Sequence, residues 1–162
     1  MRRLSLLALL ITLGVMSSAC TEQIVVPNSV ATITIEDAPS LDDGGVVITY
    51  TLADEEGDDQ DLRVEICEGS EDNPTACGFP FEGPHSDGTF FVPTGPNGDA
   101  LIHQFVWDVS CGRVNDEGLI STDVSTTYFA RVSVRGEDDS ARTSSSFSLT
   151  DLGMDDLPAC SR

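Results

Sequence analysis

The sequence contains no lysine, and all eight of its basic residues are arginine. Schiff-base chemistry through a lysine amine and a phosphate-binding P-loop lysine are therefore excluded. Positive charge is scarce altogether, because 28 acidic residues bring the formal net charge to −20. A nucleic-acid surface needs a basic footprint, and electrostatic docking on anionic lipid needs a polybasic one, so neither is expected. No GxSxG elbow, HExxH zinc signature, CxxC pair or glycine-rich nucleotide loop occurs. The usual sequence grounds for an enzyme are thus missing. Beyond Met16 there is neither a long apolar run nor a sustained 3.6-residue apolar repeat, which argues against helices in the remainder of the chain.

What is present begins at the N-terminus. In MRRLSLLALLITLGVMSSAC, Arg2 and Arg3 precede an apolar run from Leu4 to Met16, followed by small residues and then Cys20. That is the order of parts of a secretory signal, and the run is too short to span a bilayer of roughly 30 Å. Met16 to Cys20 resembles the lipobox of bacterial lipoproteins, in which the cysteine thiol is diacylated and becomes the first mature residue. The pattern departs from the family at Ser17, where leucine is usual, and Ser17 with Ala19 also suits ordinary signal peptidase. Cysteine parity favours the lipoprotein route, because acylating Cys20 leaves an even four of the five cysteines to pair in an oxidising compartment. The resemblance implies export to the cell envelope and attachment to a membrane through an N-terminal lipid. Thr21 leans this towards the outer membrane, since it is not the aspartate linked in some lipoproteins to inner-membrane retention.

Residues 1–19 are accordingly a leader, residues 20–28 a tether, and residues 29–162 a single domain, closed by a C-terminal tail that a disulfide would tie down. The tether reaches at most about 30 Å at 3.3–3.6 Å per residue. Without the leader the net charge is −22, since Arg2 and Arg3 leave with it. Apolar residues fall in ordered blocks despite the acidity, so a folded core is expected.

Those blocks are short, rich in β-branched and aromatic residues, and alternate with period two between Asp, Gly, Pro and Ser clusters. The clearest are 30–36, 46–53, 61–67, 90–92, 100–109, 127–135 and 143–149. One face of each is apolar: Val46, Ile48, Tyr50 and Leu52 in the second, Leu62, Val64 and Ile66 in the third, Tyr128, Ala130, Val132 and Val134 in the sixth. An all-β, two-sheet antiparallel β-sandwich of about seven strands follows. VVITYTLADEEGD, HQFVWD and YFARVSVRG resemble strands B, E and F of a fibronectin type III or immunoglobulin-like domain.

With the strands labelled A, B, C, C′, E, F and G, this topology puts the B–C and F–G loops at one pole and the other turns at the opposite one. Cys67, Cys77, Cys111 and Cys160 all fall at the second pole. Four cysteines allow three pairings. Cys67 with Cys77 would close the Gly/Pro-rich segment 68–88, a long loop, and Cys111 with Cys160 would hold the tail. Without CxxC spacing, a metal site at these cysteines is disfavoured.

Asp54, Glu56, Asp58 and Asp59 lie in the expected B–C loop, and Asp138 and Asp139 in the expected F–G loop beside it. Hard oxygens from two adjacent loops are what Ca²⁺ takes. The plainer reading is that Asp and Gly are turn formers whose charges solvate strand ends, and the run does not match an EF-hand. Trp107, with Phe105 and His103 on its face, reads as core, with His103 partly buried and hydrogen-bonded. His85, Ser86 and Asp87 are adjacent on one loop, which does not make a triad.

The expectation is a non-enzymatic envelope lipoprotein serving binding, adhesion or structure, with a protein or glycan partner and no resident cofactor. The alternative is a Ca²⁺-dependent accessory subunit of an envelope complex. Because strand A starts at the acidic pole, that pole should face the membrane. A ligand surface would then be sought on residues 68–99 at the other end.

Overall fold

The computed structural model describes residues 29–35, 38–42, 45–111, 113–115, 118–120 and 123–157. Among them are eleven β-strands and two single 3₁₀ turns, at Pro96–Gly98 and Val109–Cys111. The strands are β1 (Thr32–Ile35), β2 (Ser40–Asp42), β3 (Gly45–Ala53), β4 (Leu62–Ser70), β5 (Asn73–Pro80) and β6 (Leu101–Trp107). Then follow β7 (Arg113–Asn115), β8 (Gly118–Ile120), β9 (Thr127–Val134), β10 (Glu137–Thr143) and β11 (Phe147–Ser148). All their pairings are antiparallel, in two sheets that form a β-sandwich.

In the smaller sheet β3 is central. β6 pairs along one side of it, while β1 and β2 lie in succession along the other as one interrupted edge strand. The larger sheet runs β10-β9-β4-β5-β7-β8, with β11 continuing the β10 edge of β9. Period-two alternation explains the core between them. Val46, Ile48, Tyr50 and Leu52 are wholly buried, as are Leu62, Ile66, Tyr128, Ala130 and Val132 from the facing sheet. On the outward positions of β3 sit Val47, Thr49 and Thr51, β-branched residues that suit a half-covered pleat. Gly45 is required where β6 crosses, because a Cβ there would meet the Trp107 carbonyl oxygen at 2.0 Å.

Trp107 is core, as its face predicted. Its ring packs edge-on against Tyr128 at 5.4 Å, and Tyr128 in turn lies 6.2 Å from Phe147. The Tyr128 hydroxyl both donates to the Asp123 carbonyl and accepts from the Asp123 N–H, each at 2.8 Å. This ties the approach to β9 onto the strand itself, the arrangement of a tyrosine corner.

Three expectations need correction. The segment 68–88 is not one long loop: β4 extends to Ser70, turns at Glu71 and Asp72, and returns as β5. Cys67 and Cys77 are directly opposite one another in this hairpin and form a disulfide, so the bond staples two paired strands. Residues 90–92 are not a strand, and only Val92 makes an isolated bridge, to Gln60. The third concerns Glu137, Asp138 and Asp139, which begin β10 and are not loop residues; the connection from β9 is only Arg135 and Gly136. Of the acidic run only Glu137 pairs with β9, opposite Val134; Asp138 and Asp139 lie in an irregularity of the ladder that ends at Arg142, and two serines bond β9 N–H groups around it. Ser140 Oγ accepts from Val134 N at 2.7 Å, and Ser144 Oγ accepts from Ala130 N at 2.9 Å. Both serines are buried, so these bonds satisfy groups that water does not reach.

The Cys111–Cys160 pairing and Cys20 fall outside the described residues. Among the described residues no helix is long and apolar enough to cross a membrane.

Candidate docking pole

One loop, residues 54–61, organises the end of the sandwich at which the chain enters. Asp54 terminates β3 with its carboxylate turned inward, 2% exposed, where Oδ1 accepts from Glu56 N at 2.8 Å and Gly57 N at 3.0 Å. A short Asp side chain can replace the missing ladder in this way, closing the turn locally. Gln60 Nε2 reaches the other carboxylate oxygen, and the Asp54 carbonyl accepts from Gly98 N at 3.1 Å. Glu56 receives the incoming chain: its carboxylate accepts from the Ser29 hydroxyl and, at 3.4 Å, from the Ser29 N–H. The Ser29 hydroxyl is the main reason the Glu56 carboxyl is held below its ordinary value of 4.5.

The far side of the same loop clasps residues 89–92. Gln60 and Val92 exchange both backbone bonds, at 2.8 and 2.9 Å, and Leu62 N donates to the Thr89 carbonyl at 2.7 Å. Asp61 works in two directions, because its carboxylate accepts from Phe91 N at 3.0 Å while its carbonyl accepts from Arg135 N at 2.8 Å. Phe91 has φ 53°, in the left-handed region that a bulky residue rarely occupies. Held so, Phe90 and Phe91 project as a tip, 58% and 76% exposed. The Arg135 guanidinium lies 4.7 Å from the Phe90 ring centre.

Of the candidate Ca²⁺ ligands, Asp54, Glu56, Asp58 and Asp59 do share the loop, but Asp54 and Glu56 are spent on backbone and Ser29 partners. Asp138 lines a shallow depression on the outer sheet face with Arg63, Glu65, Arg131 and Ser133, and Asp139 follows it along β10. Among the described residues no group of three or more His, Cys, Asp or Glu side chains is placed to hold a metal. Asp138 and Asp139 lie in β10 and form no such group with the acidic residues of the 54–61 loop.

The residues 81–87 lie along the free edge of β6. Asp108 N donates to the Phe81 carbonyl, Gly83 N to Val106 and Asp87 N to Gln104, at 2.7–2.9 Å. Residues 68–99 therefore do not form one surface at the opposite pole: the hairpin lies there, 81–87 cover an edge, and 89–99 return to the N-terminal pole. Within this strap His103, 7% exposed, donates from Nε2 to the Pro93 carbonyl at 2.9 Å, with Nδ1 3.6 Å from Asp87 Oδ2. A histidine with a carboxylate behind it has the parts of a general base, but the nitrogen that would meet a nucleophile is bound to a carbonyl. Ser86 and His85 do not complete a triad, and the His85 carbonyl merely accepts from Gln104 Nε2 at 2.7 Å. Beside His103, burial, and then the charges of Asp87 and Glu82, push the Tyr50 phenol well above its ordinary pKa.

The aromatic tip was missed in the sequence, where Phe90–Val92 looks like a strand; adjacent Phe residues flanked by Gly88 and Pro93 were the available signal. No protein-family model matches the chain, and no curated protein or solved structure matches it either.

Proposed function

We propose that the chain is an exported, lipid-anchored envelope protein whose sandwich serves as a non-catalytic binding, adhesion or structural module. The observation that carries this reading is the attachment of Ser29 to Glu56 on the 54–61 loop. Residues 20–28 connect a lipobox-like cysteine to that point, so an acyl anchor at Cys20 would hold one defined pole towards the membrane. A domain built this way presents its β4–β5 hairpin and opposite pole outward, where a protein or glycan partner would meet them.

The fold reading that accompanies it is fibronectin type III or immunoglobulin-like. It is supported by the division of strands, with A, B and E (β1/β2, β3, β6) in one sheet and C′, C, F and G (β5, β4, β9, β10/β11) in the other. The tyrosine corner at the start of β9 supports it independently. Such folds carry many functions, so the module reading rests on the anchor.

Crosslinking of the tagged protein in its native envelope, followed by mass spectrometry, tests the proposal. Acyl groups on Cys20 and crosslinks from the β4–β5 hairpin to an envelope component are expected. A mature chain that begins elsewhere, or a free Cys20 thiol, would overturn the anchor.

A further inference from the structure

We infer that Phe90 and Phe91 form a second, non-covalent membrane contact: a rigid aromatic tip that inserts into the headgroup region of the bilayer to which Cys20 is anchored. The inference rests on the lipid-anchor reading for its direction. The tip itself is a property of the fold.

Loop 54–61 holds the incoming chain at Glu56 and the tip at Gln60 and Asp61. Whatever Cys20 is fixed to is therefore within reach of the tip, because residues 20–28 span at most about 30 Å. Tethering of this kind converts weak contact into an intramolecular event, so even a pair of Phe rings suffices. The exposed apolar residues Val30 and Leu101 belong to the same pole, at the starts of β1 and β6.

Rigidity is the second argument. Exposed phenylalanines on a loose loop can fold back onto the protein, whereas these are clamped by backbone bonds on both flanks and by Asp61 on Phe91 N. The left-handed φ of Phe91 costs free energy, and it turns the ring away from the core. A preorganised apolar pair pays little to enter an interface.

Charge sets the kind of surface. Glu55, Asp58 and Asp59 are exposed around the tip and would be repelled by anionic headgroups. Arg135, its guanidinium 4.7 Å from the Phe90 ring centre, is a cation that the geometry brings to the tip. Its guanidinium would lie at phosphate level when Phe90 is inserted. A zwitterionic bilayer fits this arrangement, and a phosphatidylglycerol-rich one does not.

The test places a fluorophore at the tip with F91W in the acylated mature protein, reconstituted into phosphatidylcholine vesicles whose acyl chains carry bromine. Trp107 is buried and reports the background in the wild type. The added emission of F91W should be strongly quenched, less so in phosphatidylglycerol-rich vesicles at low salt, with the gap closing as salt is raised. F90W serves as the second variant should F91W disturb the turn.

Full emission from both variants with acyl groups present would overturn the tip while leaving the anchor standing. So would crosslinking of the tip to a protein in place of lipid. If mass spectrometry finds Cys20 unacylated, the anchor reading fails separately. The unanchored chain then decides the tip alone: F90S/F91S should lower vesicle partition by about tenfold or more, given the apolar area of two Phe rings. An unchanged partition would sink it.

Discussion

The two ends of this sandwich are held by different physics. At the pole opposite the N-terminus, Trp107, Tyr128 and Phe147 pack in the core, the Tyr128 hydroxyl locks the approach to β9, and Cys67–Cys77 staples the adjacent hairpin. At the N-terminal pole one acidic loop is held by hydrogen bonds, many of them solvent-exposed, and its aromatics point outward. Buried aromatic area stabilises the whole fold, whereas exposed polar ties fix local geometry and contribute little globally. Damage at the first end should lower global stability, and damage at the second should change only local order.

The largest effect is expected from Trp107→Ala. Emptying a wholly buried indole site in contact with Tyr128 should cost about 3–5 kcal/mol, read as a shift in the denaturation midpoint. A loss near the surface-substitution range, under about 0.5 kcal/mol, would show that the aromatic cluster does not hold this pole. Next comes replacement of both Cys67 and Cys77 by serine. On the loop-entropy model that should cost about 2–3 kcal/mol, read as a lower denaturation midpoint of the variant under oxidising conditions.

Much of the first end was legible in the sequence. β3 carries a clean alternation of large apolar residues, and β4, β6 and β9 a looser one, which one orientation against a core satisfies best. β5 was not legible, because Asn73-Pro74-Thr75-Ala76-Cys77-Gly78-Phe79-Pro80 has little alternation and two prolines. It is a strand because β4 and the disulfide hold it there. β10 opens with Glu137-Asp138-Asp139, a turn-like composition of which only Glu137 pairs with β9, and the Ser140 and Ser144 hydroxyls bond β9 N–H groups around the irregularity. The N-terminal pole was hardest to read. Phe90 and Phe91 have strand propensity, and only the tertiary bond from Phe91 N to Asp61 and the left-handed backbone turn them outward.

Tyr128→Phe sharpens the comparison, since it keeps the ring and deletes only the hydroxyl. Two bonds to Asp123 disappear, and Asp123 N loses its partner, so a cost of about 1–2 kcal/mol is expected in chemical denaturation. A neutral result would assign the stability of this corner to ring packing alone.

The smallest effect lies at the other pole and is a matter of pH. Glu56 titrates below its ordinary 4.5 because the Ser29 hydroxyl and N–H favour its ionised form. A carboxylate with a depressed folded pKa binds fewer protons in the folded state than in the unfolded one. Its contribution is complete above about 4.5 and is lost as pH falls through the folded value. The carboxyl chemical shift of Glu56 and the amide shift of Ser29 should therefore move together in one step below the ordinary glutamate range. In Glu56→Gln the Ser29 step should vanish, while the melting temperature at neutral pH stays within the range of ordinary surface substitutions. A Ser29 amide that titrates unchanged in Glu56→Gln would mean that another group receives the chain at this pole. The defined path from Cys20 to the 54–61 loop would then have to be redrawn.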